Sequence, residues 1–108
     1  MAAPESAIRF GVGQLVRHTR FDYRGVVFDV DEVFRGSDAW YEQVARSRPP
    51  RDRPWYHVIV HGSDHTTYVA DRHLEPDLSA APVESPLVAR VFERFDPETG
   101  RYLRRAVH

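Results

Sequence analysis

Trp55-Tyr56-His57-Val58-Ile59-Val60-His61 reads as a β-strand more plainly than any other stretch of this chain. Tyr56, Val58 and Val60 alternate with His57, Ile59 and His61, the period of two that a pleated strand imposes. Gly62-Ser63-Asp64 follows as a turn, and His65 to Ala70 returns as the partner strand. Working back toward the start, Gln14 to Arg20 and Tyr23 to Asp31 form a second pair about the turn signal Phe21-Asp22. In the later strand Val26, Phe28 and Val30 define an apolar even face, and Gly25 marks a bulge or a close backbone approach. β-branched and aromatic runs between Gly and Asp punctuation specify a mainly β fold, a small barrel of about five strands built from local hairpins.

Residues 32–53 interrupt that pattern. Ser37 or Asp38 caps a short helix carrying Trp40, Tyr41 and Val44 at helical spacing. Pro49, Pro50 and Pro54 prevent its continuation, so 47–54 is an extended, Arg-bearing loop. Beyond the hairpin, Asp71-Arg72-His73-Leu74 resembles one tight helical turn, and 75–85 a linker. Ser85-Pro86 is a helix start, and Leu87, Val88, Val91, Phe92 and Phe95 line one stripe of a C-terminal helix, stopped by Asp96-Pro97-Glu98-Thr99-Gly100. Arg101 to Val107 reads as a last strand or a basic tail. The expected organisation is a flexible N-terminal arm at 1–9, a barrel at 10–74, and at 75–108 a linker, helix and basic end that pack on the barrel.

The 108 residues suit one domain with its own core. There is no Cys, so disulfides and thiolate metal sites are excluded, and a cytoplasmic setting is expected. No apolar run approaches the roughly 20 residues of a membrane span, and Met1 to Ser6 lacks the features of a signal peptide. The formal net charge is -1, but charge is segregated. Arg46, Arg48, Arg51 and Arg53 crowd one loop against Asp52, whereas Asp29, Asp31, Glu32, Asp38 and Glu42 crowd the preceding stretch against Arg35. All 15 basic residues are Arg, whose planar fork suits phosphates and carboxylates.

His57 and His61 share a strand side, with His65 past the turn, but four positions along a strand separate imidazoles by roughly 13 Å, too far for one metal ion. Asp29 and Asp31 have no nucleophile or phosphate-cradling loop beside them, and read as strand-ending residues rather than catalytic ones. No metal site, cofactor or catalytic residue is expected. The chemistry sits where aromatics and guanidiniums interleave: Trp40, Tyr41 and Trp55 bracket the Arg loop, a pattern that suits base stacking beside phosphate contacts, or a protein-recognition groove.

Four motifs in order resemble the YccV-like family of hemimethylated DNA-binding proteins, which includes the heat-shock protein HspQ: Gly-Val-Gly-Gln-Leu-Val-Arg-His at 11–18, Tyr-Arg-Gly-Val-Val-Phe-Asp-Val-Asp at 23–31, Pro-Trp-Tyr-His-Val at 54–58 and Thr-Tyr-Val-Ala at 67–70. The resemblance covers about residues 8 to 74. It implies an SH3-like barrel, a tendency to self-assemble, and links to hemimethylated DNA, heat shock and protein turnover. Two functions follow as expectations. In the first, Arg46, Arg48, Arg51 and Arg53, helped by Arg17, Arg20 and Arg24, hold the phosphates of double-stranded DNA, and Trp40 or Tyr41 senses a methyl group. In the second, the domain binds a protease or another protein as a quality-control adaptor.

Overall fold

The computed structural model describes residues 7–105. Strand β3 (Trp55–Val60) pairs antiparallel with β2 (Arg24–Asp31) on one side and β4 (Thr66–Ala70) on the other. β1 (Leu15–His18) extends the sheet beyond β2, and β5 (Leu74–Pro76) pairs with β1, giving the order β4-β3-β2-β1-β5. The mainly β architecture and its five-stranded sheet match the expectation, but among the described residues the ladder does not close: β4 and β5 both keep a free edge. A 3-10 turn at Asp71–His73 joins those two edge strands at one end.

The alternation along β3 sorts the core into two faces. Tyr56 and Val58 point to the inner face and pack with Phe10, Val16, Val27, Val69 and Leu74. Trp55 and Ile59 point to the outer face, where two different segments cover them. Because both faces of β2 are covered, Gly25, Val26 and Val27 are all buried, and no clean alternation survives there. The register shifts between Val27 and Asp29, so the bulge falls at Phe28 and not at Gly25. Val30 thereby crosses to the inner cluster while Phe28 stays with the outer one. Gly25 is instead a point of close approach: a Cβ there would lie 2.4 Å from Val58 Cγ1 and 2.5 Å from the Ile59 carbonyl oxygen.

One segment covering the outer face corrects the sequence reading. Only Val88–Val91 is helical, a single turn α2; Phe92–Asp96 is strand β6, paired with β7 (Arg101–Arg104) in a hairpin. Asp96 to Gly100 is the hairpin turn, with Gly100 at φ 68°, rather than a helix stop. The stripe from Leu87 to Phe95 has helical spacing, but a register shift between Phe92 and Arg94 lets Phe92 and Phe95 share one face of a strand as well. The buried Tyr102 decides between them, because its ring meets Phe92 at 5.3 Å and Phe95 at 5.1 Å only if the chain doubles back. Gly13 ties this hairpin to the sheet. It holds φ 93°, donates to the Val27 carbonyl at 2.8 Å and accepts from Tyr102 N at 2.8 Å. A Cβ there would fall 2.2 Å from the Tyr102 carbonyl oxygen, so no side chain fits.

The other covering segment is the excursion. Helix α1 (Asp38–Val44) starts where Ser37 Oγ accepts from Trp40 N, as its capping sequence implies. Phe34, Tyr41 and Ala45 then bury Trp55 and Ala70. No helix among the described residues is long and apolar enough to cross a membrane. Of the N-terminal arm, residues 1–6 lie outside the described residues, as do 106–108 of the basic end. Arg9, in contrast, is anchored by ion pairing to Asp71 at 3.0 Å and by donation to the Leu74 carbonyl at 2.9 Å.

Candidate functional site

The arginines expected to form one surface divide into two sets. Arg17 pairs with Asp22 and with Glu75 at 2.9 Å. Arg24 pairs with Asp77 at 2.6 Å and also donates to the Ala81 carbonyl. Arg48 pairs with Glu42 at 2.8 Å, and Arg51 pairs with Asp38 while lying over the Tyr41 ring at 4.8 Å. These four guanidiniums are engaged within the fold and do not form an open cationic face. Glu42 and Asp38 belong to the acids crowded before the Arg loop, so the excursion neutralises part of its own charge, whereas Asp22, Glu75 and Asp77 come from elsewhere.

Arg20, Arg46 and Arg53 make no ion pair among the described residues. Arg53 is exposed and lies apart from the groove described below. Arg20 and Arg46 line one groove, and Arg72 lies with Arg20 beside His73. Ser47 Oγ lies 2.8 Å from His73 Nε2, and Arg72 donates to the Ser47 carbonyl, which seats the start of the Arg loop on the 3-10 turn. Burial, followed by the nearby cations Arg72 and Arg20, lowers the His73 pKa from its ordinary value. The β1–β2 turn and the 3-10 turn thus bring Arg20 and Arg72 near one imidazole, to which Ser47, the neighbour of Arg46, is bonded. The Arg72 contribution was legible only as part of a helical turn.

The aromatics also need correction. Tyr41 is buried, its hydroxyl donating to the Pro49 carbonyl at 2.7 Å, and Trp55 is buried with its indole N–H donating to the Pro50 carbonyl at 3.1 Å. They pin the proline segment and are unavailable as stacking platforms. Trp40 alone of the three is half-buried. It stands on one wall of a groove of about 500 Å³ that runs along β4. Tyr68 and Val44 continue that wall, while Phe21 and Tyr23 of the β1–β2 turn form the opposite one. Phe21 is 68% exposed and Val44 54%, so the groove has apolar lips open to water. Arg20 and Arg46 both line the groove, and no carboxylate does. Phe21 had been legible only as a turn signal.

The groove end near the cations is built on neutral histidine. His18 is 5% exposed and stacks between Phe21 and Tyr23 at 4.8 and 5.0 Å, with His73 at 5.6 Å. Burial first, and then His73 and Arg20, bring its pKa down to about 4. Its Nδ1 accepts from the backbone N–H of Arg20 at 3.1 Å and Phe21 at 3.0 Å, which fixes the turn that carries both residues.

Asp29, Asp31 and His57 offer ligand atoms within 4.8 Å of one another. Asp31 Oδ2 already accepts from Tyr68 at 2.7 Å and meets His57 Nε2 at 3.1 Å. Burial raises the Asp31 pKa, but the Tyr68 and His57 hydrogen bonds outweigh it and hold it below the ordinary value. His61 Nδ1 accepts from Glu84 N at 2.9 Å.

A comparison with protein-family models matches residues 8–99 to the YccV-like family, described as hemimethylated DNA-binding protein YccV like. The chain belongs to the YccV-like family. The match covers the whole five-stranded sheet and the groove, and continues through α2 and β6.

Proposed function

We propose that this YccV-like domain binds double-stranded DNA as a binding protein rather than an enzyme, with Arg20, Arg46 and Arg72 holding phosphates at the mouth of the aromatic groove. The observation that carries the reading is that Arg20 and Arg46 line one groove with exposed apolar surface, while Arg72 stands with Arg20 beside His73 and donates to the carbonyl next to Arg46. Phosphate contacts set position, and a methyl group on a base edge would add apolar surface for Trp40 or Phe21 to cover. Hemimethylated duplex is the form to which the family description points.

Anisotropy titrations of a labelled duplex, unmethylated and hemimethylated, over a range of salt provide the test. Three phosphate contacts give a slope of log K against log salt of roughly -3, and Arg20→Gln/Arg46→Gln/Arg72→Gln brings it close to zero. Arg48→Gln/Arg51→Gln leaves the slope nearly unchanged, because those cations are already paired. Binding that ignores salt, or a triple variant that behaves like the parent, refutes the reading.

A second reading, a protein-binding module acting as a heat-shock or protease adaptor, is favoured by one observation. β4 is an edge strand, and its free edge borders the groove.

A further inference from the structure

We propose that the free edge of β4 takes up an extended, acid-flanked peptide segment of a partner protein as an added strand, with its carboxylates on Arg20 and Arg46. The inference rests on the second reading above and names the chemistry of the partner.

The register identifies the open backbone groups. Val60 N donates to the His65 carbonyl at 3.3 Å and Asp71 N to the Pro54 carbonyl at 3.0 Å. Hydrogen-bonded pairs alternate along an antiparallel ladder, so Val58 with Thr67 and Tyr56 with Val69 are hydrogen-bonded pairs as well. Thr66 and Tyr68 therefore turn their N–H and C=O groups away from β3. No other hydrogen bond engages these four groups among the described residues.

Edge strands are ordinarily blunted by charge, proline or a bulge. The other edge follows that rule, with Glu75 and Pro76 in its three residues. β4 is Thr-Thr-Tyr-Val-Ala, uncharged, without proline and without a register shift against β3. It is an edge left able to pair. Beside it lies space for side chains: an added strand would place alternate residues against Trp40, Val44 and Tyr68 on one side and Phe21 and Tyr23 on the other. The charge around that space selects the occupant. Two guanidiniums without ion pairs and no carboxylate line the groove, which favours a segment with acids over a basic one. A second copy of this chain offering its own β4 would bring the same two cations toward each other, so a different, acidic partner fits better.

The probe is a fluorescein-labelled octapeptide of alternating valine and threonine between terminal glutamates, read by anisotropy against the full chain. Saturable binding is expected, weakened at least tenfold by backbone N-methylation at alternate residues, by lysines in place of the glutamates, and by Arg20→Glu/Arg46→Glu. In 15N spectra with hydrogen exchange, the Thr66 and Tyr68 amides gain protection when the peptide is added, and the Arg20→Glu/Arg46→Glu spectrum shows that the fold is kept. If the N-methylated peptide binds equally well, pairing at the edge is refuted while the protein-binding reading stands. If no peptide of either charge binds at millimolar concentration, both fall. Protection of the same amides by raising protein concentration alone, or by duplex DNA alone, names a second copy or DNA as the occupant and overturns the proposal.

Discussion

Lowering the pH from 7 to 5 should destabilise this domain mainly through one residue, His18. Its imidazole is neutral in the fold, with a pKa of about 4, against an ordinary value of 6.5. The unfolded chain therefore takes up a proton as pH falls below about 6.5, while the folded chain resists until about 4. Stability is complete above the upper value, declines between the two, and levels off below the lower one. At pH 5 the unfolded state has gained about 1.5 pH units of protonation advantage, or about 2 kcal/mol. His73 adds to the loss, since its pKa is lowered for the same first reason, burial. The geometry gives the loss a local meaning as well. The proton must go onto Nδ1, which accepts the N–H groups of Arg20 and Phe21, so protonation releases the turn that carries one groove wall. Urea unfolding at pH 7 and pH 5 measures the difference. In His18→Asn, whose side-chain oxygen can accept the same two N–H groups, most of the pH dependence should disappear. Equal unfolding free energies at the two pH values, or a dependence that survives intact in His18→Asn, would refute the argument.

Three other substitutions test the packing. Gly13→Ala combines a left-handed backbone with a collision at the Tyr102 carbonyl, and should cost about 3 kcal/mol by chemical denaturation, with near-ultraviolet circular dichroism reporting displaced aromatics. Tyr102→Phe removes the hydroxyl that accepts from Val83 N at 2.9 Å and donates to its carbonyl at 3.1 Å, and should cost about 1–3 kcal/mol; a change below a few tenths would deny that bond any role. Asp77→Asn weakens the partner of the half-buried Arg24, and a melting temperature lowered by several degrees is expected, with no shift counting against the pair.

The sheet was legible because β3 and β4 keep a period of two and end at Gly62-Ser63-Asp64. The excursion was legible in part, since Ser37 and the prolines act locally. What escaped reading depends on residues far apart. Leu87 to Phe95 satisfies a helical stripe on its own terms, and only Tyr102 returning across Phe92 makes it a hairpin. Gly25 announced a close approach correctly, but the bulge went to Phe28, which packs under the C-terminal hairpin. At the site, the run Arg46, Arg48, Arg51 and Arg53 pointed to the right loop and overstated its charge. Asp38 and Glu42 neutralise half of it through contacts that no linear spacing reveals. Arg20 and Arg46 were named, whereas Arg72, Phe21 and His18 were not, because they join the site through the 3-10 turn and the stacking around His18.

The hairpin's anchorage at Gly13 also sets a timetable for synthesis. Leu15, Val26 and Ile59 emerge early from the ribosome, yet the rings that cover them, Phe92 and Tyr102, emerge late. A nascent chain that has already paired β1 through β5 still shows an oily back to solvent or to any holding chaperone. Translation pausing before Tyr102 would therefore lengthen the period in which this small protein is sticky, and the last hairpin works as the clasp that ends it.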